Sequence, residues 1–176
     1  MGARLKNYGL NLFKTTSFPD HYFYTRFDIE GLKKKNPNIL LLDAGDRFAG
    51  TYFYTLHKEK DLIPVFQKLK YDVFTLGNHE FDYGMAQMKV LTDSLHAQVL
   101  CANVSLLTTG EYLYPAYAMH QYGRIKVAFV GVGTPTTFVS STPTHFLDAD
   151  GNVLYDFHRD DTGELVQQAV NQARKQ

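Results

Sequence analysis

Short continuous apolar runs alternate along this chain with segments whose apolar residues recur at helical spacing, and this alternation restricts the fold most. Runs such as 39–43 and 71–76 have the length of a strand and are apolar at successive positions, so both faces of the strand are expected to be buried. Segment 61–70 instead gathers its apolar residues on one helical face. The series predicts an α/β fold with a parallel sheet.

Proline and capping signals set the predicted helix boundaries. A helix is predicted over 26–35 and ends before Pro37, because the residue preceding a proline is pushed out of the helical conformation. In helix 61–70, Pro64 is expected in the first turn, where amide hydrogens lack intrahelical partners. Two more helices are predicted: one over 85–96, and a terminal one, opened by a capping box at 161–164, whose apolar face is Leu165, Val166, Ala169, Val170 and Ala173.

The remaining strands and turns follow from alternation and turn residues. A buried strand is predicted over 97–102, and 117–121 and 125–131 are predicted to form a hairpin whose second arm is apolar enough to lie centrally in a sheet. The Thr-, Ser- and Pro-rich segment 134–143 is predicted to be a loop. Within 146–157, the residues Asp150-Gly151-Asn152 predict a tight β-turn.

Charge and composition exclude several classes of protein. The 176 residues are 44% hydrophobic and 20% charged, as in an ordinary globular domain, and 18 basic residues balance 18 acidic ones. No basic field therefore exists to attract nucleic acid or an anionic membrane surface. No stretch approaches the roughly 18 apolar residues of a membrane span, and no signal peptide is recognised near the start. The lone Cys101 excludes an internal disulfide and leaves localisation unknown.

Two polar loops follow predicted strands 39–43 and 71–76. The first contains Gly45 and Asp46, and the second is Gly77-Asn78-His79-Glu80-Phe81-Asp82. Ligands of open α/β sheets gather at the carboxyl ends of the strands, so both loops are expected at one ligand-binding edge. A carboxylate on Asp46 and an amide oxygen on Asn78 suit a hard divalent cation. His79 suits either proton donation to a leaving alkoxide or stabilisation of a charged phosphoryl group, with Asp82 orienting its ring.

Segments 40–46 (Leu-Leu-Leu-Asp-Ala-Gly-Asp) and 76–84 (Leu-Gly-Asn-His-Glu-Phe-Asp-Tyr-Gly) resemble two signature blocks of the 5'-nucleotidase family of calcineurin-like metallophosphoesterases, and 101–104 and 131–135 resemble its later strand ends. The resemblance, strongest to bacterial members, implies a four-layer α/β/β/α domain with a divalent metal pair (Mn²⁺, Zn²⁺, Co²⁺ or Mg²⁺). It implies hydrolysis of nucleotides or other small phosphomonoesters by a metal-activated water. Asp46 would be the bridging metal ligand, Asn78 a ligand of one metal, and His79 with Asp82 the catalytic pair.

The chain also departs from the family pattern. The opening Asp-x-His block is lacking; Asp20-His21 is nearest to it, but adjacent strand residues point to opposite faces. The later histidine blocks and the nucleoside-binding domain do not occur in these residues, and the other histidines lack ligand spacing. We therefore expect an atypical segment 1–25, an incomplete metallophosphoesterase domain over 26–176, and a metal pair that binds weakly or not at all. Self-association through unpaired sheet edges is also expected.

The sequence leaves alternatives open. A non-catalytic fragment or binding module that retains the middle of the fold is the alternative to an enzyme. An unrelated nucleotide-binding α/β protein is disfavoured, because no Gly-rich phosphate loop of the G-x-x-x-x-G-K type occurs. Family members are commonly periplasmic or extracellular, although no signal peptide is recognised in this chain.

Overall fold

A computed structural model describes residues 22–47, 55–56 and 59–176; for residues 22–28 and 59–62 it describes the backbone alone. Asp20, His21 and His57 lie outside these residues, and the domain division at residue 25 stays a prediction. No helix in the described part of the chain has the length and apolarity needed to cross a membrane.

The three-stranded parallel sheet carries the loops of interest. Its strands are β1 (Leu42–Asp43), β2 (Val73–Thr75) and β3 (Gln98–Leu100), arranged side by side in chain order. They are connected by helices, as predicted, because parallel neighbours need a crossover. The connecting helices are α2 (Glu59–Leu69) and α3 (Met85–Ser94), and α1 (Tyr22–Lys35) precedes β1. The strands are shorter than the apolar runs that predicted them, and α1 begins four residues before its predicted start.

The main core lies between this sheet and its helices. Phe74 and Leu76 from the sheet region, Phe66 from α2 and Leu91 from α3 are almost fully buried in one cluster. These are the apolar positions that the helical and strand patterns selected, so the α/β prediction is confirmed. Pro64 is a correction: α2 begins at Glu59, which puts Pro64 in its second turn, on an exposed position.

A second layer is formed by the hairpin of β5 (Tyr117–Tyr122) and β6 (Ile125–Val130). The hairpin was predicted, but the central position of its second arm was wrong. Among the described residues these strands pair only with each other, and Ile125 is 39% exposed. Helix α5 (Thr162–Ala173) packs on the hairpin, and β5 also contacts β3.

The apolar face of α5 is confirmed, but its predicted capping box is not. Asp161 occupies the N-cap position without a side-chain capping bond, because its carboxylate lies 3.2 Å from Nδ1 of His158 instead. Thr162 donates its hydroxyl hydrogen to the His158 carbonyl oxygen at the same helix start.

The segment predicted as a loop over 134–143 contains a short helix, α4 (Thr137–Ser140), followed by a 3₁₀ turn, Pro143–Phe146. Thr137 is fully buried and its hydroxyl donates to the Thr134 carbonyl at 2.6 Å, which explains how this composition forms a helical turn.

The predicted turn around residues 150–152 is present. The Asp148 carboxylate accepts the amide hydrogens of Asp150 and Asn152 at 2.9 and 2.8 Å. The arms do not continue as one ladder: Leu147 and Val153 form a single bridge. Strand β7 (Tyr155–Asp156) instead pairs with β4 (Ser105–Leu106).

Candidate active site

The two polar loops leave the same edge of the sheet and touch through their backbones. We call residues 43–47 loop A and residues 77–82 loop B. Strands β1 and β2 are parallel, with Leu42 opposite Val73, so both loops start at carboxyl ends. Gly45 has φ +84°, and a Cβ there would lie 2.8 Å from the Thr75 carbonyl oxygen and closer still to the Gly77 nitrogen. The approach requires glycine on both conformational and steric grounds.

Asp46 and Asn78 are brought together as predicted. Asp46 is exposed and has φ +61°, and its Oδ1 accepts the His79 amide hydrogen at 3.2 Å. A Cβ on Gly77 would overlap that carboxylate, so the Asp46 side chain lies directly on loop B. Asn78 is half-buried, and its side chain makes no capping bond to the 3₁₀ turn that it precedes, His79–Phe81. Two hard oxygen donors therefore lie on adjacent loops.

His79 and Asp82 form the predicted pair. Nδ1 of His79 lies 2.7 Å from Oδ2 of Asp82, and the His79 side chain remains 47% exposed. The hydrogen bond to Asp82 raises the pKa of His79 against the smaller opposing effect of burial. The other carboxylate oxygen of Asp82 accepts the Ser141 hydroxyl hydrogen at 3.0 Å. Ser141 was not anticipated, because it lies 59 residues away in the segment predicted as a loop.

Glu80 is the buried residue of loop B to which the sequence analysis gave no role. Its side chain is only 2% exposed, and its carboxylate accepts three backbone amide hydrogens. Those of Gly77 and Asp46 point to Oε2 at 2.6 and 2.8 Å, and that of Arg47 points to Oε1 at 2.7 Å. Burial raises the pKa of Glu80, and these hydrogen bonds oppose the rise. In the sequence, Glu80 is only one charged residue among others in a polar loop, and nothing there indicates that its side chain is buried.

An ion pair holds the base of loop A. Nε of Arg47 donates to both oxygens of Asp43, at 3.1 and 2.9 Å, and the Gly45 amide donates to the same carboxylate at 3.1 Å. Asp43 is 6% exposed; burial raises its pKa, and the Arg47 charge opposes that effect. Asp43 is therefore engaged within its own loop rather than free to serve as a ligand.

The other two resembling segments end beside loop B. The side-chain Oδ1 of Asn103 accepts the Gly133 amide hydrogen at 2.8 Å, and its Nδ2 donates to the backbone carbonyls of Gly133 and Phe157. A Cβ on Gly133 would lie 3.6 Å from the Leu76 carbonyl oxygen. Asn103 is fully buried with both ends of its amide used, so it ties the two layers together rather than facing a ligand.

The remaining described histidines do not add ligands. His145 bonds the Phe81 carbonyl behind loop B, His120 bonds Gln98, His158 bonds Ser105, and His96 is exposed just after α3. Across residues 22–47, 55–56 and 59–176, no three His, Cys, Asp or Glu side chains are grouped to hold a metal. Asp46 and Asn78 thus fit part of a divalent cation site, and a complete donor set would need further ligands from outside the described residues.

Sequence comparison relates the chain to 5'-nucleotidases. It is 34% identical to a snake venom 5'-nucleotidase from Crotalus adamanteus over 126 residues, which cover 68% of this chain and 21% of that protein. It is 33% identical to a probable 5'-nucleotidase from Treponema pallidum over 150 residues, covering 82% of this chain and 24% of that protein. The chain therefore spans about a fifth to a quarter of the length of these curated relatives. No family model matches it.

Solved structures show the same fold. A putative 5'-nucleotidase from Staphylococcus aureus superposes with a TM-score of 0.71 at 24% identity, covering 86% of this chain and 29% of that one. A calcineurin-like phosphoesterase from Bacillus subtilis superposes with a TM-score of 0.54 at 28% identity, covering 66% of this chain and 41% of that one. Sequence and fold together show that the chain belongs to the 5'-nucleotidase family of calcineurin-like phosphoesterases, of whose members it represents a part.

Proposed function

We propose that the protein hydrolyses phosphate monoesters, with nucleoside 5'-monophosphates as the preferred class of substrate, and that loops A and B form part of its active site. The observation that carries this proposal is the His79–Asp82 pair, 2.7 Å apart, on the loop that also presents Asn78 and contacts Asp46. Phosphoester hydrolysis requires charge neutralisation at the phosphoryl group and a proton for the leaving oxygen. The names of the relatives support the nucleotide as substrate.

Each residue has a definite task in this proposal. Asp46 and Asn78 would hold a divalent cation such as Mn²⁺, Zn²⁺, Co²⁺ or Mg²⁺. A pair of such cations would supply Lewis-acid activation of the attacking water. His79 binds and orients the phosphoryl oxygens, and delivers a proton to the leaving alkoxide. Asp82 fixes the ring through Nδ1 and keeps it protonated to higher pH, as the raised pKa of His79 indicates. Ser141 holds the second oxygen of Asp82 in place.

The test is phosphate release from AMP and from p-nitrophenyl phosphate with each of the four cations added in turn. The chain is compared with Asp46→Ala and His79→Ala, each of which is expected to abolish metal-dependent turnover. Asp93→Ala and His96→Ala are the matched controls, because both side chains are exposed on or just after α3, away from the two loops. Turnover that survives both loop substitutions would contradict the assignment.

A second candidate is a phosphatase half-site without turnover of its own. The lack of a third grouped metal-ligating side chain among the described residues favours this candidate. It predicts no phosphate release above the substituted variants, but measurable Mn²⁺ binding that is lost in Asp46→Ala.

The presence of a snake venom protein among the relatives supports an extracytoplasmic location for the complete protein.

A further inference from the structure

We propose that Glu80 is a positioning residue that clamps loop A onto loop B and thereby presents the Asp46 carboxylate for cation binding. A buried carboxylate is costly unless its charge is well solvated by hydrogen-bond donors. In the described part of the chain, the Glu80 carboxylate is solvated by backbone amide hydrogens rather than by a positively charged side chain. Two of its three donors, Asp46 and Arg47, come from loop A, 34 and 33 residues away in the sequence.

The clamp acts on the backbone of the candidate ligand itself. Asp46 has φ +61°, a left-handed conformation that is uncommon for residues with a Cβ, although Asp adopts it more readily than most. The amide hydrogen that this conformation directs inward is the one bound to Oε2 of Glu80 at 2.8 Å. Charge-assisted hydrogen bonds of this kind are stronger than neutral ones, so they can hold the unfavourable backbone geometry.

A closed cycle of hydrogen bonds results. Glu80 binds the backbone of Asp46, and the Asp46 carboxylate accepts the amide hydrogen of His79, the residue that precedes Glu80. Gly77 completes the arrangement by donating to the same Oε2 at 2.6 Å. Loss of the Glu80 carboxylate should therefore release both loops, although Glu80 has no place among the predicted ligands. Outer partners of metal ligands commonly contribute about 10- to 100-fold to metal affinity.

Glu80→Gln is the sharpest substitution, because it preserves size and removes one acceptor. Oε2 accepts two amide hydrogens and Oε1 accepts one, so the new NH₂ group must face at least one backbone donor. Asp148→Asn is the matched control. The Asp148 carboxylate also accepts three hydrogen bonds, from the amides of Asp150 and Asn152 and from the Asn152 side chain, but all three stay within its own turn and none involves loop A or loop B.

The first measurement is amide hydrogen exchange by NMR on the metal-free protein. In the wild type, the amides of Asp46, Arg47 and Gly77 should be protected, although Asp46 is an exposed loop residue. In Glu80→Gln these three amides should exchange at least tenfold faster, while those of β3 and α3 change little, and Asp148→Asn should leave all three unchanged. Unprotected Asp46 and Arg47 amides in the wild type would overturn the clamp even if the variant fails to fold.

The second measurement is Mn²⁺ affinity by calorimetry at a temperature where wild type and variants are fully folded. Glu80→Gln is expected to bind about 10- to 100-fold more weakly than wild type and Asp148→Asn. Unchanged affinity in a folded Glu80→Gln would reduce Glu80 to a purely structural role and refute the inference. This arm rests on the proposed function. If the wild type binds no Mn²⁺, the proposed function fails, whereas the exchange measurement still decides whether the clamp exists.

Discussion

Replacement of Gly45 by alanine should destabilise the protein because two separate costs add at one position. The first is conformational: Gly45 has φ +84°, and the left-handed region costs a residue with a Cβ about 1–2 kcal/mol. The second is steric: the added Cβ would lie 2.8 Å from the Thr75 carbonyl oxygen and 2.9 Å from the Leu76 carbonyl carbon. Both atoms belong to the backbone and cannot rotate away, and overpacking of this kind costs about 1–3 kcal/mol.

Gly110 separates these two costs experimentally. It has φ +70°, but no heavy atom lies within 4 Å of the Cβ that alanine would introduce. Gly110→Ala should therefore lose only the conformational part, about 1–2 kcal/mol, whereas Gly45→Ala should lose about 2–5 kcal/mol. Gly163 lies in α5 with open space around it, and Gly163→Ala should be neutral or up to about 1 kcal/mol more stable.

Urea unfolding followed by circular dichroism measures all three variants against the wild type. With a slope of about 2 kcal/mol per molar urea, Gly45→Ala is expected to lower the midpoint by about 1–2.5 M. The decisive comparison is the additional loss relative to Gly110→Ala, because that difference isolates the contact between loops A and B. If Gly45→Ala costs no more than Gly110→Ala, the close backbone approach of the two loops is wrong.

Three further predictions concern the acid–base pair, the core and association. Asp82→Asn should lower the pKa of His79, because the hydrogen bond to Asp82 is what raises it. NMR of the His79 ring protons, recorded without metal, measures this pKa, and an unchanged value would contradict the pairing. In the wild type, the stability from this pair should be complete below the ordinary histidine pKa of about 6.5 and disappear as the pH rises through the raised value. Phe146→Ala should cost about 3–5 kcal/mol, because the ring is fully buried against Phe81 and Phe157, whereas Val139→Ala, 66% exposed, should change stability by less than about 0.5 kcal/mol. Sedimentation at rising protein concentration should show self-association through unpaired strand edges, and a monomer at every concentration would contradict that expectation.

The sequence predicted the meeting of the two loops because one geometric rule suffices. Asp46 and Asn78 each follow a short apolar strand, and parallel strands place their carboxyl ends at one edge. The same rule placed His79 and Asp82, which are three residues apart within one turn. Residues brought together by consecutive strands of a parallel sheet are accessible to this reasoning, because no long-range packing must be known.

The residues that were missed depend on packing that the pattern does not encode. In the sequence, Glu80 looks like a solvated surface charge, but its side chain turns inward to backbone amide hydrogens. Backbone amides occur at almost every residue, so a sequence does not show which of them will meet a buried carboxylate. Ser141 reaches Asp82 only because α4 and the following turn fold behind loop B. Asp161 fails as a side-chain cap because His158 competes for its carboxylate. Strand 125–131 is apolar enough to be central, yet its position depends on neighbours that an apolar run does not specify.

The contacts of Glu80 also have a direction along the chain, which bears on the order of assembly during translation. All three amide donors of Glu80 precede it in the sequence, so they have already been synthesised when Glu80 leaves the ribosome. The anchor of Asp82 is different, because Ser141 is made 59 residues later. Since domains form progressively as the chain emerges, the three donors of Glu80 are available before the hydroxyl group of Ser141 is. We therefore expect that a nascent chain can join loops A and B through Glu80 while Asp82 still lacks its Ser141 partner.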